Sequence, residues 1–405
     1  MTQLDRREFL SAVGLGVAST TLGEVLPVSP SAITGQAEMG PDPWIELDSS
    51  ALRHNLSAVR ERVGDRPVMA VIKGNGYGHG LVEMGGMLQR EGVRHLAVAK
   101  VSEALALRES GIDGTILNFG PFGSRDLSEI VAGRISQTVF TDQVEELAGE
   151  AVRRGLTTPV QVNIDTGLGR VGVPYREAAP FLTKLATLEG IRLEGVFTAL
   201  TEDPEFDRVQ LRRFLQVCES VERSGIAAGM KHAASSAGLM DFPESFLDMV
   251  RPGISIYGHY PSDETWRTRP LELRPILSLK ARVVYVKTLE PGDALSYHRA
   301  FVAERRTRIA TLPIGYSDGY PHTLADKADV LIRGRRFPVI ALVTANHVLV
   351  NLGEDEEISI GDEAVLIGRQ GSEYLDAHAL ANMAGESVYK LVIGMNATLP
   401  RYIRL

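Results

Sequence analysis

Apolar positions fall into two patterns along the chain. From residue 68 to about residue 254, short apolar runs rich in β-branched residues recur at Val68–Ile72, His95–Ala99, Thr115–Asn118, Ser136–Phe140, Val160–Ile164, Leu193–Phe197, Met230–Ala233 and Met249–Ile254. Helical spacing fills most of the intervals, as at Leu211, Phe214, Leu215, Cys218 and Val221. Before the first run, Trp44–Asp48 reads as a short strand. Ser49 or Ser50 can cap a helix with Leu52, Leu56, Val59 and Val63 on one face. About eight strands alternating with helices in about two hundred residues predict an α/β fold of the (β/α)8 barrel type. After Pro275 the period shortens: Ser278–Leu289, Thr307–Leu312, Ala328–Ile332, Phe337–Ala345, Val348–Leu352 and Glu363–Ile367 read as strands joined by turns such as Pro291-Gly292-Asp293. The expected organisation is a barrel over 44–275 followed by a β-rich C-terminal domain over 276–405.

The chain of 405 residues is long enough for both, and its 44% hydrophobic content is ordinary for a globular enzyme. A net charge of −8 with no basic run makes nucleic acid an unexpected partner. No stretch after the amino terminus is long and apolar enough to span a bilayer. Cys218 is the only cysteine. It sits on the apolar face of its helix, is read as core, and cannot form an internal disulfide. Residues 1–43 read as signal and linker: Arg6-Arg7 precedes the weakly apolar run Ser11–Ala18, as in a twin-arginine export signal, with cleavage expected near Ala37. That route carries folded proteins and implies the periplasm or the cell exterior, with no stable membrane association after export.

The candidate chemistry begins where the first buried strand ends. Lys73 closes the run Pro67–Ile72 at the carboxyl end, where barrel proteins place their chemistry. An amine flanked by apolar strand is poorly hydrated and drifts toward its neutral form, which can condense with a carbonyl cofactor. Gly74, Gly76, Gly78 and Gly80 follow, removing side chains so that something bulky can approach. They do not fit a dinucleotide fingerprint, because His79 stands at the third glycine, nor a phosphate loop, because the lysine precedes them. The local pattern alone leaves open a lysine that merely reaches solvent from a strand end.

The segment Val71-Ile72-Lys73-Gly74-Asn75-Gly76-Tyr77-Gly78-His79-Gly80 resembles the pyridoxal-phosphate lysine motif V-x-K-A-N-A-Y-G-H-G of the alanine racemase family, and the likeness runs from about Trp44 to Arg401. The resemblance implies pyridoxal 5'-phosphate as cofactor, no metal, a small-molecule amino-acid substrate, and a homodimer with an active site shared between subunits. Lys73 and Tyr297 would be the two catalytic bases, Tyr297 (in Leu295-Ser296-Tyr297) reaching in from the partner. Racemisation removes a proton from one face of the α-carbon and returns one to the other, so two bases must flank it. Tyr77, His232, Ser236, Arg251, Gly253 and Ile254 would bind the cofactor: Tyr77, Ser236 and the amides of Gly253 and Ile254 at the phosphate, Arg251 at the pyridine nitrogen, His232 orienting Arg251. Arg170, in Asp165-Thr166-Gly167-Leu168-Gly169-Arg170, would hold the substrate carboxylate, and Ala345 would line the substrate pocket. Ile314–Tyr320 resembles a structural, interface-forming segment that puts Tyr316 near the entrance.

Several positions depart from the family pattern. Asn163 replaces a lysine often carbamylated; its amide oxygen is expected to accept from Arg170. Ala199 replaces a histidine beside the catalytic tyrosine. Ala345 and Asn346 replace methionine and aspartate, and Ala397 replaces a phosphate-binding tyrosine, with Tyr402 nearby. The changes to alanine predict a wider pocket than a strict alanine enzyme has. The expected activity is amino-acid racemisation, of alanine or a broader set. The alternatives are a lyase, decarboxylase or epimerase on the same scaffold, or a non-catalytic cofactor-binding protein.

Overall fold

The structure, a computed structural model, describes residue 40 and residues 42–405. The twin-arginine segment and Ala37 lie outside the described residues.

Seven parallel strands, Met69–Val71, His95–Val98, Thr115–Asn118, Ser136–Val139, Thr158–Asp165, Ile191–Phe197 and Met230–His232, hydrogen-bond in chain order. The eighth segment expected, Met249–Ile254, is no regular strand, yet it closes the ring. Met69 and Val71 N–H donate to Val250 and Pro252 carbonyls, both at 2.9 Å, while Arg251 N–H donates to Ala234 O at 2.8 Å. Pro252 has no N–H to give, which keeps the pairing to a bridge between Val68 and Val250. Buried Val, Ile, Leu and Ala side chains fill the strands, so the barrel is a packed core with its loops at the carboxyl end.

Helix Ser49–Val63 buries Leu52, Leu56, Val59 and Val63 as the spacing predicts, but neither serine caps it. Asp48 does: its carboxylate accepts from Ser50 N–H at 2.8 Å and Ala51 N–H at 3.0 Å. An anionic acceptor at a helix start outcompetes a hydroxyl because the free amides carry partial positive charge. Helix Pro204–Arg223 buries Phe214, Val217, Cys218 and Val221. Leu215, counted with that face in the sequence, is 40% exposed instead. Burial pushes the Cys218 thiol up to about 12, in keeping with an inert core residue.

The second sheet has strand order Tyr285–Leu289, Thr307–Leu312, Val348–Gly353, Arg335–Ile340, Asp329–Ile332, Glu363–Gln370, Leu277–Arg282, Trp44–Asp48, Arg401–Arg404. Trp44–Asp48, which precedes the barrel strands in the chain, pairs antiparallel with Leu277–Arg282 and parallel with Arg401–Arg404. The run expected as one strand, Ser278–Leu289, breaks at Val283 and Val284, whose amides turn to Asp362 O and Thr311 O. Its two halves therefore lie in different parts of the sheet. The run expected over Phe337–Ala345 ends at Ile340, because Ala341 takes a φ of 63°. Helices Ala377–Ala384 and Val388–Ile393, not read from the sequence, pack against each other, and Val388–Ile393 lies against the turn after strand Met69–Val71.

Candidate active site

The apolar run Pro67–Ile72 becomes strand Met69–Val71, and Ile72 N–H still bonds Ala97 O at 2.8 Å. The chain then enters a left-handed turn, with φ of 63°, 55°, 61° and 51° at Gly74, Asn75, Gly76 and Tyr77. Glycine adopts this freely; Asn75 and Tyr77 must be held there. Asn75 N–H donates to Glu103 Oε1 at 3.1 Å, and Asn75 Oδ1 accepts from Leu81 N–H at 3.0 Å. The glycines serve packing as much as access: a Cβ on Gly78 would lie 1.8 Å from Val392 O, so what approaches there is helix Val388–Ile393.

This turn leaves Lys73 half-buried at the rim. Burial and then the Arg170 guanidinium lower its amine below the usual lysine range, opposed by Glu103. Tyr77 is 5% exposed, with burial pushing its phenol up to about 12. Its ring lies 5.0 Å from that of Tyr257 and 6.1 Å from that of Tyr389. His79 is fully buried, donates from Nδ1–H to Tyr77 O at 2.9 Å, and is pushed down to about 4 by burial.

Ser236 opens helix Ser236–Asp241, and its Oγ accepts from Gly253 N–H at 2.9 Å and Ser255 N–H at 3.2 Å. With both lone pairs occupied, the hydroxyl hydrogen donates to Ser255 Oγ at 3.0 Å, which leaves the Ser255 hydroxyl hydrogen to donate in turn. The Gly253 amide, expected at the phosphate, is thus engaged with Ser236. The Ile254 amide begins a one-turn helix, Ile254–Tyr257, at the end where amides lack intrahelical acceptors. A Cβ on Gly253 would come 2.6 Å from Tyr77 Oη, so glycine is what lets the Tyr77 hydroxyl approach the backbone here.

Arg251 is 7% exposed and almost fully bonded. Nη1 donates to His232 Nδ1 at 2.8 Å, and Nη2 to Thr198 O at 2.8 Å and Ala233 O at 3.1 Å. His232 Nε2–H donates in turn to Gln161 Oε1 at 2.8 Å, which fixes the neutral tautomer. Phe197 lies 5.2 Å from both the Arg251 guanidinium and the His232 ring. Burial pushes Arg251 down to about 9, still above neutral pH, so it stays charged; burial and Arg251 hold His232 well below its usual range. Nε–H and the second Nη1–H of Arg251 remain without a protein acceptor among these bonds.

Arg170 is exposed on the loop after Thr158–Asp165, where Asp165 Oδ1 accepts from Gly167 and Gly169 N–H at 3.0 and 3.1 Å. It borders a small recess with Asn163, Leu168, Val171 and Ala199. Asn163 Nδ2–H donates to Val171 O at 3.0 Å; the expected bond from Arg170 to the Asn163 amide oxygen is not formed.

Tyr297 lies elsewhere. It begins a one-turn helix on the second sheet, 70% exposed, in a shallow cleft with Ser296, Thr311, Thr344, His347 and Leu349. Ser296, His298 and Arg299 all have left-handed φ, 64°, 59° and 54°, a strained loop around the tyrosine. Ala345 belongs to this face, its carbonyl accepting from Ser317 N–H at 3.0 Å and Ser317 Oγ at 2.7 Å. Tyr316 is 56% exposed. Ala199, Ala345 and Ala397 therefore do not line one cavity within a single chain. Tyr402 sits in register with Glu46 in the sheet, and the tyrosine beside Tyr77 is Tyr389.

Gln161, Glu103, Ser255 and Tyr389 escaped the sequence reading. Gln161 carried a signal: a polar residue inside the buried strand run Val160–Ile164. The others sit on separate segments that only folding brings to Lys73, Ser236 and Tyr77.

Residues 47–261 match the family described as alanine racemase, N-terminal domain, and residues 276–403 the alanine racemase, C-terminal domain. The chain is 37% identical over 365 residues, 88% of its length and 98% of the relative, to a protein of Desulforamulus reducens named alanine racemase. It superposes on the structure of alanine racemase from Clostridium difficile with a TM-score of 0.85 at 32% identity, covering 91% of this chain and 97% of the other. The structure of a histidine racemase from Leuconostoc mesenteroides gives 0.83 at 27% identity, covering 90% and 98%. With its barrel, its C-terminal sheet and its Lys73 turn, the chain belongs to the alanine racemase family, amino-acid racemases of the isomerase class.

Proposed function

We propose that the chain interconverts L- and D-amino acids, alanine among them, with pyridoxal 5'-phosphate at the carboxyl end of the barrel, in a homodimer exported by the twin-arginine route. The observation that carries this is the convergence of a desolvated Lys73 amine, a charged Arg251 with Nε–H unbonded, and the close approach of the Tyr77 hydroxyl to Gly253.

The residues fit the cofactor. The Ser236–Ser255 hydroxyl pair and the Ile254 amide would offer donors to a phosphate beside the Tyr77 hydroxyl, which a Cβ at position 253 would push away. Arg251 offers a pyridine nitrogen a hydrogen-bond donor that keeps its proton, and the His232–Gln161 pair holds it in place. Pyridoxal 5'-phosphate, when bound, supplies the electron sink that acidifies the α-hydrogen of the amino acid.

The chain's own groups do the rest. Arg170 pairs with the substrate carboxylate. The Lys73 amine, kept toward its neutral form by burial and by Arg170, moves a proton at one face of the α-carbon. The opposite face needs a second acid–base group. Tyr297 of a second copy supplies it in this reading, since within one chain that tyrosine is displayed on the second sheet, 70% exposed. Arg6-Arg7 and the apolar run after it support export to the periplasm or cell exterior.

Borohydride reduction of the purified holoenzyme, followed by peptide mapping, tests the reading: wild type should be labelled on Lys73 and Lys73→Ala should not. Racemisation in D2O should place deuterium at the α-carbon with no loss of carbon dioxide or side chain. Cell fractionation of Arg6→Lys/Arg7→Lys beside wild type checks export.

A further inference from the structure

Lys73 stands between two anchored amides. On its amino side Ile72 N–H donates to Ala97 O at 2.8 Å. On its carboxyl side Asn75 N–H donates to Glu103 Oε1 at 3.1 Å. The other oxygen, Glu103 Oε2, accepts from Ala99 N–H at 3.1 Å. The amine is thus carried by a span whose two ends are fastened to one stretch, the end of strand His95–Val98 and the first turn of helix Val101–Glu109. The first anchor continues the sheet of the barrel. The second is a side chain reaching across to the neighbouring loop, where Asn75 takes a φ of 55° that it does not adopt unaided.

Starting a helix does not require this arrangement. A glutamate at the third helical position commonly reaches back to the amide of the capping residue. Glu103 holds that position in helix Val101–Glu109, yet it reaches one residue further back, to Ala99, and does so with one oxygen. The second oxygen serves the turn of Lys73. A carboxylate suits both amides, whereas a carboxamide in its place would turn a donor toward one of them. The orientation also matters to the amine. With both oxygens taken up by amides, the carboxylate does not capture Lys73 in an ion pair. Its charge is still felt there, raising the amine against the lowering by burial and by Arg170.

We propose that Glu103 is a positioning residue of the racemase, a clamp that holds the turn of Lys73 to the end of strand His95–Val98 and so fixes where the amine stands. The inference rests on the racemase reading above and adds a residue to its machinery. A reacting group displaced by about 1 Å loses up to about a hundredfold in rate, while an amino acid held through Arg170 still binds. Loss of the clamp therefore acts on kcat before it acts on KM.

The first test is made on wild type. Residue-resolved hydrogen exchange of the full chain should find the Asn75 amide slowed by about a hundredfold or more against an unstructured peptide. Exchange at the peptide rate overturns the proposal, and protection counts for the clamp should neither variant below fold. The second test sets Glu103→Gln beside Glu103→Asp, which keeps the charge and shortens the reach. Both should lower kcat for alanine by about tenfold or more, with KM changed by less than about threefold. The pH dependence of Lys73 acylation in the cofactor-free chain, mapped by mass spectrometry, separates them. Glu103→Gln should shift it down, because removing a nearby anion disfavours the ammonium, and Glu103→Asp should leave it near wild type. Folded variants with wild-type kcat and an unshifted Lys73 reduce Glu103 to a helix start and overturn the proposal, while alanine racemisation by wild type upholds the wider reading. A wild-type chain that racemises no amino acid, with Lys73 unlabelled by borohydride, overturns both.

Discussion

The carboxyl end of the barrel and the Tyr297 face of the second sheet are built on opposite plans. At the barrel end the polar groups are buried and mutually satisfied: Arg251 to His232, His232 to Gln161, and two amides to Ser236. On the second sheet Tyr297 and Tyr316 stand exposed, Tyr297 on a loop where Ser296, His298 and Arg299 take left-handed φ. A preorganised site binds because its donors are already aimed and need no reordering. A strained, exposed aromatic loop gains only when another surface covers it. Under the proposed function, the cofactor half of the site would be complete in one chain and the second base would come from a second chain.

The sharpest way to break this comparison is Lys73→Ala. If the barrel end carries the essential amine, racemisation falls by about 10³-fold or more and borohydride labelling is lost, read by chiral assay and mass spectrometry. Next comes Tyr297→Phe, expected to cost about 10²-fold or more in kcat while cofactor binding, followed by absorbance, persists. Mixing it with Lys73→Ala and allowing subunits to exchange should restore activity to about a quarter of wild type, since half the dimers are mixed and one site in each is intact. No recovery would put both bases on one chain.

Titration of His79 addresses the buried side alone. Its folded value of about 4 lies below the usual 6.5, so between these pH values the unfolded chain binds the proton and the folded chain does not. Stability contributed by the neutral ring is full above pH 6.5 and is lost as pH falls toward 4, by about 3 kcal/mol at most. Urea unfolding across that range should show this slope, and His79→Gln should flatten it in part, with His232 and His259, also held neutral by burial, keeping the remainder. The mildest expected effect is that of Gly253→Ala, which pushes against Tyr77 Oη and should weaken cofactor binding by about tenfold; adding Tyr77→Phe, which removes that oxygen, should relieve the clash.

Much of this plan is legible in the chain. The period-two and period-3.6 runs give the barrel and the sheet because burial of alternate or every third and fourth side chain is a local consequence of backbone geometry. The turn from Lys73 to Gly80 is legible too, since only glycine-rich sequence enters a left-handed turn at low cost. Other features are not local. Nothing in Val283-Val284 marks a strand break; it exists because the two halves find partners in different parts of the sheet. The pairing of Trp44–Asp48 with Arg401–Arg404 joins the two ends of the described chain. The rotation of Asn163 toward Val171 O depends on a loop carbonyl that only the fold brings near.

The sequence by itself determined which residue types were present and in what local backbone: an amine at a strand end, an arginine before Pro252 and Gly253, a tyrosine after Ser296. Only the tertiary structure decided their company. Gln161 meets His232, Tyr389 meets Tyr77, and Tyr297 is set apart from Lys73, because these are encounters between distant segments, and the desolvation and hydrogen bonds that tune each group arise from the neighbours that packing supplies.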